Sequence, residues 1–353
     1  MLAVDLFSGA GGMSLGATMA GIDVRVAVEL SSAPALTYAV NHPKTLVAET
    51  DISGLKNIHI PRHEPIVIFG GPPCQGFSTS NQKTRTAANL KNWMFRDFMR
   101  VVKSMRPEWV VFENVAGLVH TEAGMFRAEI EGGFRKLGYK VVAGLLNAAD
   151  FGVPQRRQRY FAIGRLNGMP PDLPAPATAS ATVSVDDAIS DLPVLVNGAA
   201  IDVLPYRTQP QSAFARDMRG ALAQSSGHLV TCNAQPIVDR YGHIPPGGNW
   251  RDIPAEMMDT YTDRTRCHTG IYRRLRGDEP AVVIGNFRKN MLIHPHQARG
   301  LSVREAARLQ SFPDWYNFQG SIGLQQQQVG NAVPPLLAKA VFETLMVASK
   351  SRG

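Results

Sequence analysis

Cysteine is scarce in this chain: Cys74, Cys232 and Cys267 are the three in 353 residues. They form no CxxC pair, which argues against a thiolate zinc site and a disulfide framework alike, and no metal is expected. Long apolar runs are lacking too. None approaches the roughly 18 residues that cross a bilayer, so no membrane role is expected. The chain opens on a strand-like run without a basic stretch, an apolar segment or a cleavage site, and a cytoplasmic location is the expectation that follows. Internal repeats are missing. What remains is the composition of an ordinary globular protein, 44% hydrophobic and 19% charged. Its length suits one large domain or two smaller ones. The net charge of +8 favours a polyanionic partner without identifying one.

The first 165 or so residues alternate β-rich runs with helical stretches. Strands are predicted at 2–7, 24–28, 45–48, 66–69, 109–112, 139–145 and 160–163, with helices at 12–20 and 93–105 among the intervening segments. Such alternation argues for a parallel α/β sheet. The proline-rich segment 169–176 reads as a linker. Beyond it, Pro, Gly and Arg are frequent, and 303–310 is the one long periodic helix up to residue 320. Pro334-Pro335 then opens an apolar helix, 336–347, suited to packing back on the first sheet. The division expected is 1–168, then 169–321, then a returning segment, 322–353.

In an open α/β sheet, ligands gather at the carboxyl ends of the strands. The first strand leads into a glycine turn, Phe7-Ser8-Gly9-Ala10-Gly11-Gly12, which departs from GxGxxG because Ser14 stands at the third glycine. A turn of this kind brings backbone N–H groups to an anionic ligand at a helix N-terminus. NAD, FAD or S-adenosylmethionine would fit it, and Glu29 at the next strand end would suit the ribose of any of them. Asp51 ends the third strand and Glu113-Asn114 the fifth. The fourth runs into Gly70-Gly71-Pro72-Pro73-Cys74-Gln75-Gly76-Phe77-Ser78. Two prolines fix the backbone direction ahead of Cys74, and the polar neighbours make it a poor candidate for a buried hydrophobe. A thiolate nucleophile is the better account of it.

These segments, with Gln155-Arg156-Arg157-Gln158-Arg159, Arg304-Glu305-Ala306-Ala307-Arg308-Leu309-Gln310 and Gln328-Val329-Gly330-Asn331-Ala332-Val333-Pro334, resemble the motifs of the DNA (cytosine-5)-methyltransferases in the family's order. The resemblance runs from residue 4 to about 340, apart from roughly 170–240. It implies a Rossmann-like S-adenosylmethionine-dependent methyltransferase domain with a smaller, irregular target-recognition domain. Cys74 would attack carbon 6 of cytosine, Glu113 would contact N3 and the exocyclic amine with its pKa raised by burial, and Arg159, with Arg157 beside it, would bond the base carbonyl. Phe7 would pack on the donor's adenine, Glu29 hold the ribose, Asp51 bond the adenine amine, and Gly9, Gly11 and Gly12 receive the methionine portion. Ser8, Leu30, Ile52, Pro72 and Asn331 complete that set.

The resemblance further implies double-stranded DNA as substrate, with the target base flipped out of the helix. Ser78, Lys83, Arg85 and Lys91 would belong to a loop closing on that base. Lys91-Asn92 stands where the family often has Arg-Asn, and Val282-Val283-Ile284 where it often has Thr-Ile-Thr. Arginines of the second domain, among them Arg251, Arg264, Arg266, Arg273, Arg274, Arg276, Arg288 and Arg299, would contact phosphates and bases. His294 and His296 read as solvated loop histidines. A monomer is expected, either an orphan methylase or one paired with a restriction endonuclease for the same site. Methylation of a tRNA cytosine, and a binding module without activity, are the alternatives.

Overall fold

The computed structural model describes residues 1–55, 58–61, 63–73, 93–176, 182–258, 270–285, 287–289 and 291–350. Cys74, Ser78, Lys83, Arg85, Lys91, Arg264 and Arg266 lie outside the described residues. The chain divides into two compact units, one of Met1–Phe151, Gln158–Thr178 and Val333–Gly353, the other of Gly152–Arg157 and Ala179–Ala332.

The first unit is built on a seven-stranded sheet. Along the chain it runs β1 (Leu2–Leu6), α1 (Gly12–Met19), β2 (Asp23–Glu29), α2 (Ser32–Asn41), β3 (Leu46–Glu49), β4 (Ile66–Gly70), α3 (Phe95–Met105), β5 (Trp109–Val115), α4 (Met125–Lys136), β6 (Lys140–Asn147) and β7 (Gln158–Arg165). Strands β1, β4 and most of β5 are buried along their length, as continuous apolar runs covered on both faces must be. The helices show the complementary pattern. On α3 the buried residues are Phe95, Phe98, Val101, Val102 and Met105, a single stripe at helical spacing. That helix ends at Arg106, in the left-handed region, just before Pro107.

The strand order is β3-β2-β1-β4-β5-β7-β6. Strands β1 to β5 pair in parallel and β6 points the same way, but β7 runs antiparallel to both β5 and β6, so the parallel sheet expected carries one reversed strand. Alternating strands and helices predict crossovers; the short link from β6 into β7 contains no crossover helix, and so reverses the strand. The chain leaves β1 toward β2 on one side and comes back to β4 on the other. The carboxyl ends of β1 and β4 therefore flank the switch point of the sheet, where such folds form their ligand crevice.

The second unit comprises α5 (Val185–Ile189), β8 (Leu204–Pro205), α6 (Ala213–Arg219), β9 (Gln224–Ser225), α7 (Gln235–Gly242), α8 (Val303–Leu309) and α9 (Ile322–Asn331). One apolar cluster gathers Tyr241, Ile244, Ile253, Met258, Tyr272 and Ile293. Buried ion pairs stand among the other apolar residues of its interior. Arg308, fully buried, is held between Asp191 at 2.6 Å and Asp314 at 2.7 Å. Arg299 pairs with Glu305 at 2.6 Å. Against the penalty of burial, Arg299 holds the Glu305 carboxyl down to about 2.

Two expectations about this unit are corrected. Arg274 and Arg299 are buried: Arg274 donates to the carbonyls of Ile244, Tyr241, His294 and Gln297, so both guanidinium groups are committed inside the unit. His294 is not solvated. Burial pushes it down to about 4, with Glu305 opposing from 3.6 Å. His296 is exposed and meets Asp186 at 2.7 Å.

The chain closes with α10 (Pro335–Lys350) in the first unit. Within residues 322–350 one 18-residue window reaches a mean hydropathy of 1.3, enough by length and composition alone for a membrane span, though 44% of that window is buried inside the protein. Its apolar residues have another use. Leu337, Val341, Phe342 and Leu345 are buried, and Phe342 stacks edge-on against Phe69 of β4 at 4.8 Å.

Candidate active site

The carboxyl end of β5 carries Glu113 and Asn114, and the antiparallel neighbour β7 carries Arg159. Arg159 lies opposite Val115 in the register, so it is diagonal to Glu113 on the same face of the two strands. Its Nε stands 3.0 Å from Glu113 Oε1, and each side chain is 9% exposed. The reversal of β7 thus has a chemical consequence: it brings a cation beside a carboxylate that is almost wholly out of water, where a lone charge would be costly.

The loop after β4 closes on this pair. Asn114 donates from Nδ2 to the Pro72 carbonyl at 3.2 Å, while its Oδ1 accepts from the Val115 amide at 2.9 Å. A side chain at Gly71 would collide with Glu113 Oε2. Glycine there leaves the carboxylate undisturbed in this position. Pro72 is buried and Pro73 exposed. Asn114 stands in the segment read from the sequence, yet no role was assigned to it; a polar residue immediately after the acidic one was the available signal.

The turn after β1 forms the second part of the site. Phe7, Gly9 and Gly11 all have positive φ, of 61°, 54° and 85°. That conformation is ordinary for glycine and strained for Phe7. The Gly9 amide donates to Glu29 Oε2 at 2.9 Å, and the other carboxylate oxygen accepts from Ser31 at 2.9 Å. Glu29 thereby bridges the turn and the end of β2. The Ser8 amide donates to the Val28 carbonyl at 3.0 Å, but its buried hydroxyl has no partner among the described residues. Such an orphaned donor, an open turn of backbone amides and a carboxylate at the next strand end together fit a ligand bearing a carboxylate and a ribose.

Asp51 is exposed and caps the short turn at Ile52–Gly54 by accepting from the Ser53 amide, which lowers its pKa. Ile52 is buried, and Arg100 of α3 donates to its carbonyl and to that of Leu55. Thr50 donates to the Glu29 carbonyl at 2.9 Å, so Glu29 and Asp51 stand at the same edge of the sheet. Leu30 is exposed.

Arg157 and Asn331 belong to the second unit. Arg157 and Arg159, two positions apart, would project from one side of the chain if both lay in a strand. That alternation holds only within a strand, and β7 starts at Gln158. Arg157 instead donates to the carbonyls of Gly330, Ala332 and Ile284 at 2.8, 3.1 and 3.2 Å. Asn331 is exposed at the end of α9, Arg288 is exposed, and Arg273 is half-buried.

A sequence profile of the C-5 cytosine-specific DNA methylases matches residues 1–346. The type II methyltransferase M1.HphI of Haemophilus parahaemolyticus is 39% identical, over 97% of this chain and 86% of its own length. M.DdeI of Desulfomicrobium norvegicum is 35% identical, over 97% and 88%. Among solved structures, a prophage-encoded protein of E. coli described as a DNA modification methyltransferase superposes with a TM-score of 0.79. It is 28% identical and covers 98% of this chain and 99% of its own. The Dnmt2 methyltransferase of S. pombe, 18% identical, shares the fold at a TM-score of 0.59. The chain belongs to the C-5 cytosine-specific DNA methylase family, and its enzyme class is DNA (cytosine-5)-methyltransferase.

The contact at Gly71 yields an expected result. In Gly71→Ala the methyl group meets the far end of a flexible side chain rather than backbone, so the fold survives and the carboxylate moves. We expect methyl transfer to fall by roughly 10- to 100-fold, the scale of a misplacement of about 1 Å, with an unfolding midpoint near that of the parent. Steady-state kinetics and a urea titration check both halves.

Proposed function

We propose that this protein transfers the methyl group of S-adenosylmethionine to carbon 5 of a flipped cytosine within a specific duplex DNA sequence, through a covalent bond between Cys74 and carbon 6. Carbon 5 is too poor a nucleophile to attack a sulfonium unaided. Addition of the Cys74 thiolate to carbon 6 delivers an electron pair into the ring, and carbon 5 becomes enamine-like. Glu113 contacts N3 and the exocyclic amine, where it supports the charge displaced by that addition. Arg159 holds Glu113 and bonds the base carbonyl. The donor supplies an activated methyl group, and Phe7, Ser8, Gly9, Gly11, Gly12, Glu29, Leu30, Asp51, Ile52, Pro72 and Asn331 form its binding set. Carbon 5 takes that methyl group and the donor leaves as a neutral thioether; a base such as water then removes the carbon 5 proton, the C–H pair restores the bond between carbons 5 and 6, and the carbon–sulfur pair departs with the Cys74 thiolate.

The observation that carries this reading is the buried Glu113–Arg159 pair, 3.0 Å apart, against the loop that leads into Cys74. Support for the donor comes from the Glu29–Gly9 bond and the unpartnered Ser8 hydroxyl at the end of β1. We assign DNA target recognition to the second unit, with exposed Arg288 and half-buried Arg273 as contacts. Ser78, Lys83, Arg85 and Lys91 belong to the loop that closes on the base. The protein acts as a cytoplasmic monomer without a metal, either alone or beside a restriction endonuclease of the same specificity.

The test is incorporation of tritium from labelled S-adenosylmethionine into duplex DNA and into tRNA, followed by bisulfite sequencing of the DNA. Label in duplex DNA at one cytosine of a recurring sequence is expected. Label confined to tRNA would overturn the assignment.

A further inference from the structure

Ser14 occupies the place of the third glycine in the pattern after β1, and its surroundings explain why a hydroxyl stands there. Ser14 is fully buried in the third position of α1. Its Oγ donates to Asp5 Oδ2 in β1 at 2.6 Å. The same oxygen accepts from the Tyr38 hydroxyl of α2 at 2.6 Å. The first of these bonds ties strand to helix across the base of the turn at residues 7–12. The second anchors that tie to the neighbouring helix. One turn of α2 later, the ring of His42 packs on Tyr38, with centroids 4.4 Å apart, and hydrogen-bonds the Gly11 backbone. Side chains from β1, α1 and α2 thus converge beneath the turn.

The turn needs such support. Three of its residues have positive φ, one of them Phe7, and a strained backbone persists only where its surroundings over-determine it. No side chain caps the N-terminus of α1, so the turn has no support from that source. Burial holds the Asp5 carboxyl well above the usual carboxylate range, with Ser14 opposing and Glu29 adding to it. Glu29, near enough to raise the Asp5 pKa, also accepts from the Gly9 amide at 2.9 Å.

We propose that Tyr38 and Ser14 are positioning residues for the methyl donor: through Asp5, and with His42 on Gly11, they hold the turn at residues 7–12 in its receiving conformation. Neither touches the donor. The inference rests on the reading above that this turn binds S-adenosylmethionine. It gives α2, which carries none of the motif residues named above, a share in donor affinity.

Calorimetric titration of the full-length protein with S-adenosylmethionine, in the absence of DNA, tests it. Tyr38→Phe keeps the ring and deletes the hydroxyl, and Ser14→Ala removes both bonds. Each is expected to weaken donor binding by about 5- to 10-fold, the worth of a buried hydrogen bond. The donor KM should rise in step, with kcat at saturating donor and the DNA KM unchanged. Tyr139→Phe is the control. It deletes an equally buried hydroxyl, bonded to the Pro107 carbonyl at 2.7 Å, and should leave donor affinity within about twofold while costing similar stability in urea. Donor affinity unchanged in folded Tyr38→Phe and Ser14→Ala would overturn the proposal, as would losses that fall on kcat. A parent protein that binds no S-adenosylmethionine at all would instead remove the donor reading on which it rests.

Discussion

Cys74→Ser is expected to lower methyl transfer by about 10⁴-fold or more, the scale seen when a covalent nucleophile is removed. The change deletes no methylene and leaves both prolines in place, so folding and donor binding should be unaffected. What changes is the availability of the anion. A thiol with a reference pKa of about 8.5 supplies some thiolate near neutrality and can be tuned further, whereas a serine hydroxyl needs a strong base held against it. The side chains described nearest the loop, Glu113 and Arg159, are already engaged with each other. DNA carrying 5-fluorocytosine in the target sequence gives the sharper readout, because fluorine cannot leave as a proton and the adduct to carbon 6 persists. The parent should form a complex that survives denaturation, and Cys74→Ser should form none. Turnover in the serine variant, or a trapped complex that forms without Cys74, would end the covalent account.

Much of the first unit was legible because its signals are local. The seven strands expected from apolar runs are present in the sheet, and the helix opened by Pro334-Pro335 begins at Pro335. Direction was not legible. Nothing in the composition of β7 says that it runs against β5, since that follows from the link that precedes it. Glu113 and Arg159 could be singled out by their motifs, but the diagonal register that joins them depends on that reversal.

The second unit shows the opposite limit. A run of arginines reads as a surface for polyanions when each partner is unknown. Arg308 finds Asp191 across 117 residues of sequence, and Arg274 finds four backbone carbonyls. No pattern of spacing encodes such distant partners. The same holds for Arg157, whose acceptors include Gly330 and Ala332. Ser14 is the intermediate case: the departure from glycine was visible, but its cause required Asp5 and Tyr38 to be seen around it.

The Glu113–Arg159 pair permits the chemical and the structural contributions to be separated. Glu113→Gln keeps the shape of the side chain and its carbonyl oxygen but can neither carry the negative charge nor exchange the proton, and methyl transfer should fall by about 10³-fold, within the range for loss of a positioned acid–base group. It also strands a guanidinium in a site that is 9% exposed. Arg159→Met does the converse and strands the carboxylate. Each single change should therefore destabilise the protein, by about 3–5 kcal/mol if the remaining charge stays buried and unpaired. The double variant removes both charges at once. Its loss of stability should be smaller than the sum of the two by about 1.5–3 kcal/mol, the coupling expected of a direct buried pair. Activity should follow a different rule. The double variant should recover none of it, because a stable but uncharged pocket still offers nothing to N3 of the base. Urea unfolding of the four proteins measures the first quantity, and methyl transfer at saturating donor measures the second. Additive losses of stability would mean that the two side chains do not depend on one another. Recovery of turnover in the double variant would mean that Glu113 acts by holding the fold rather than by meeting the cytosine ring.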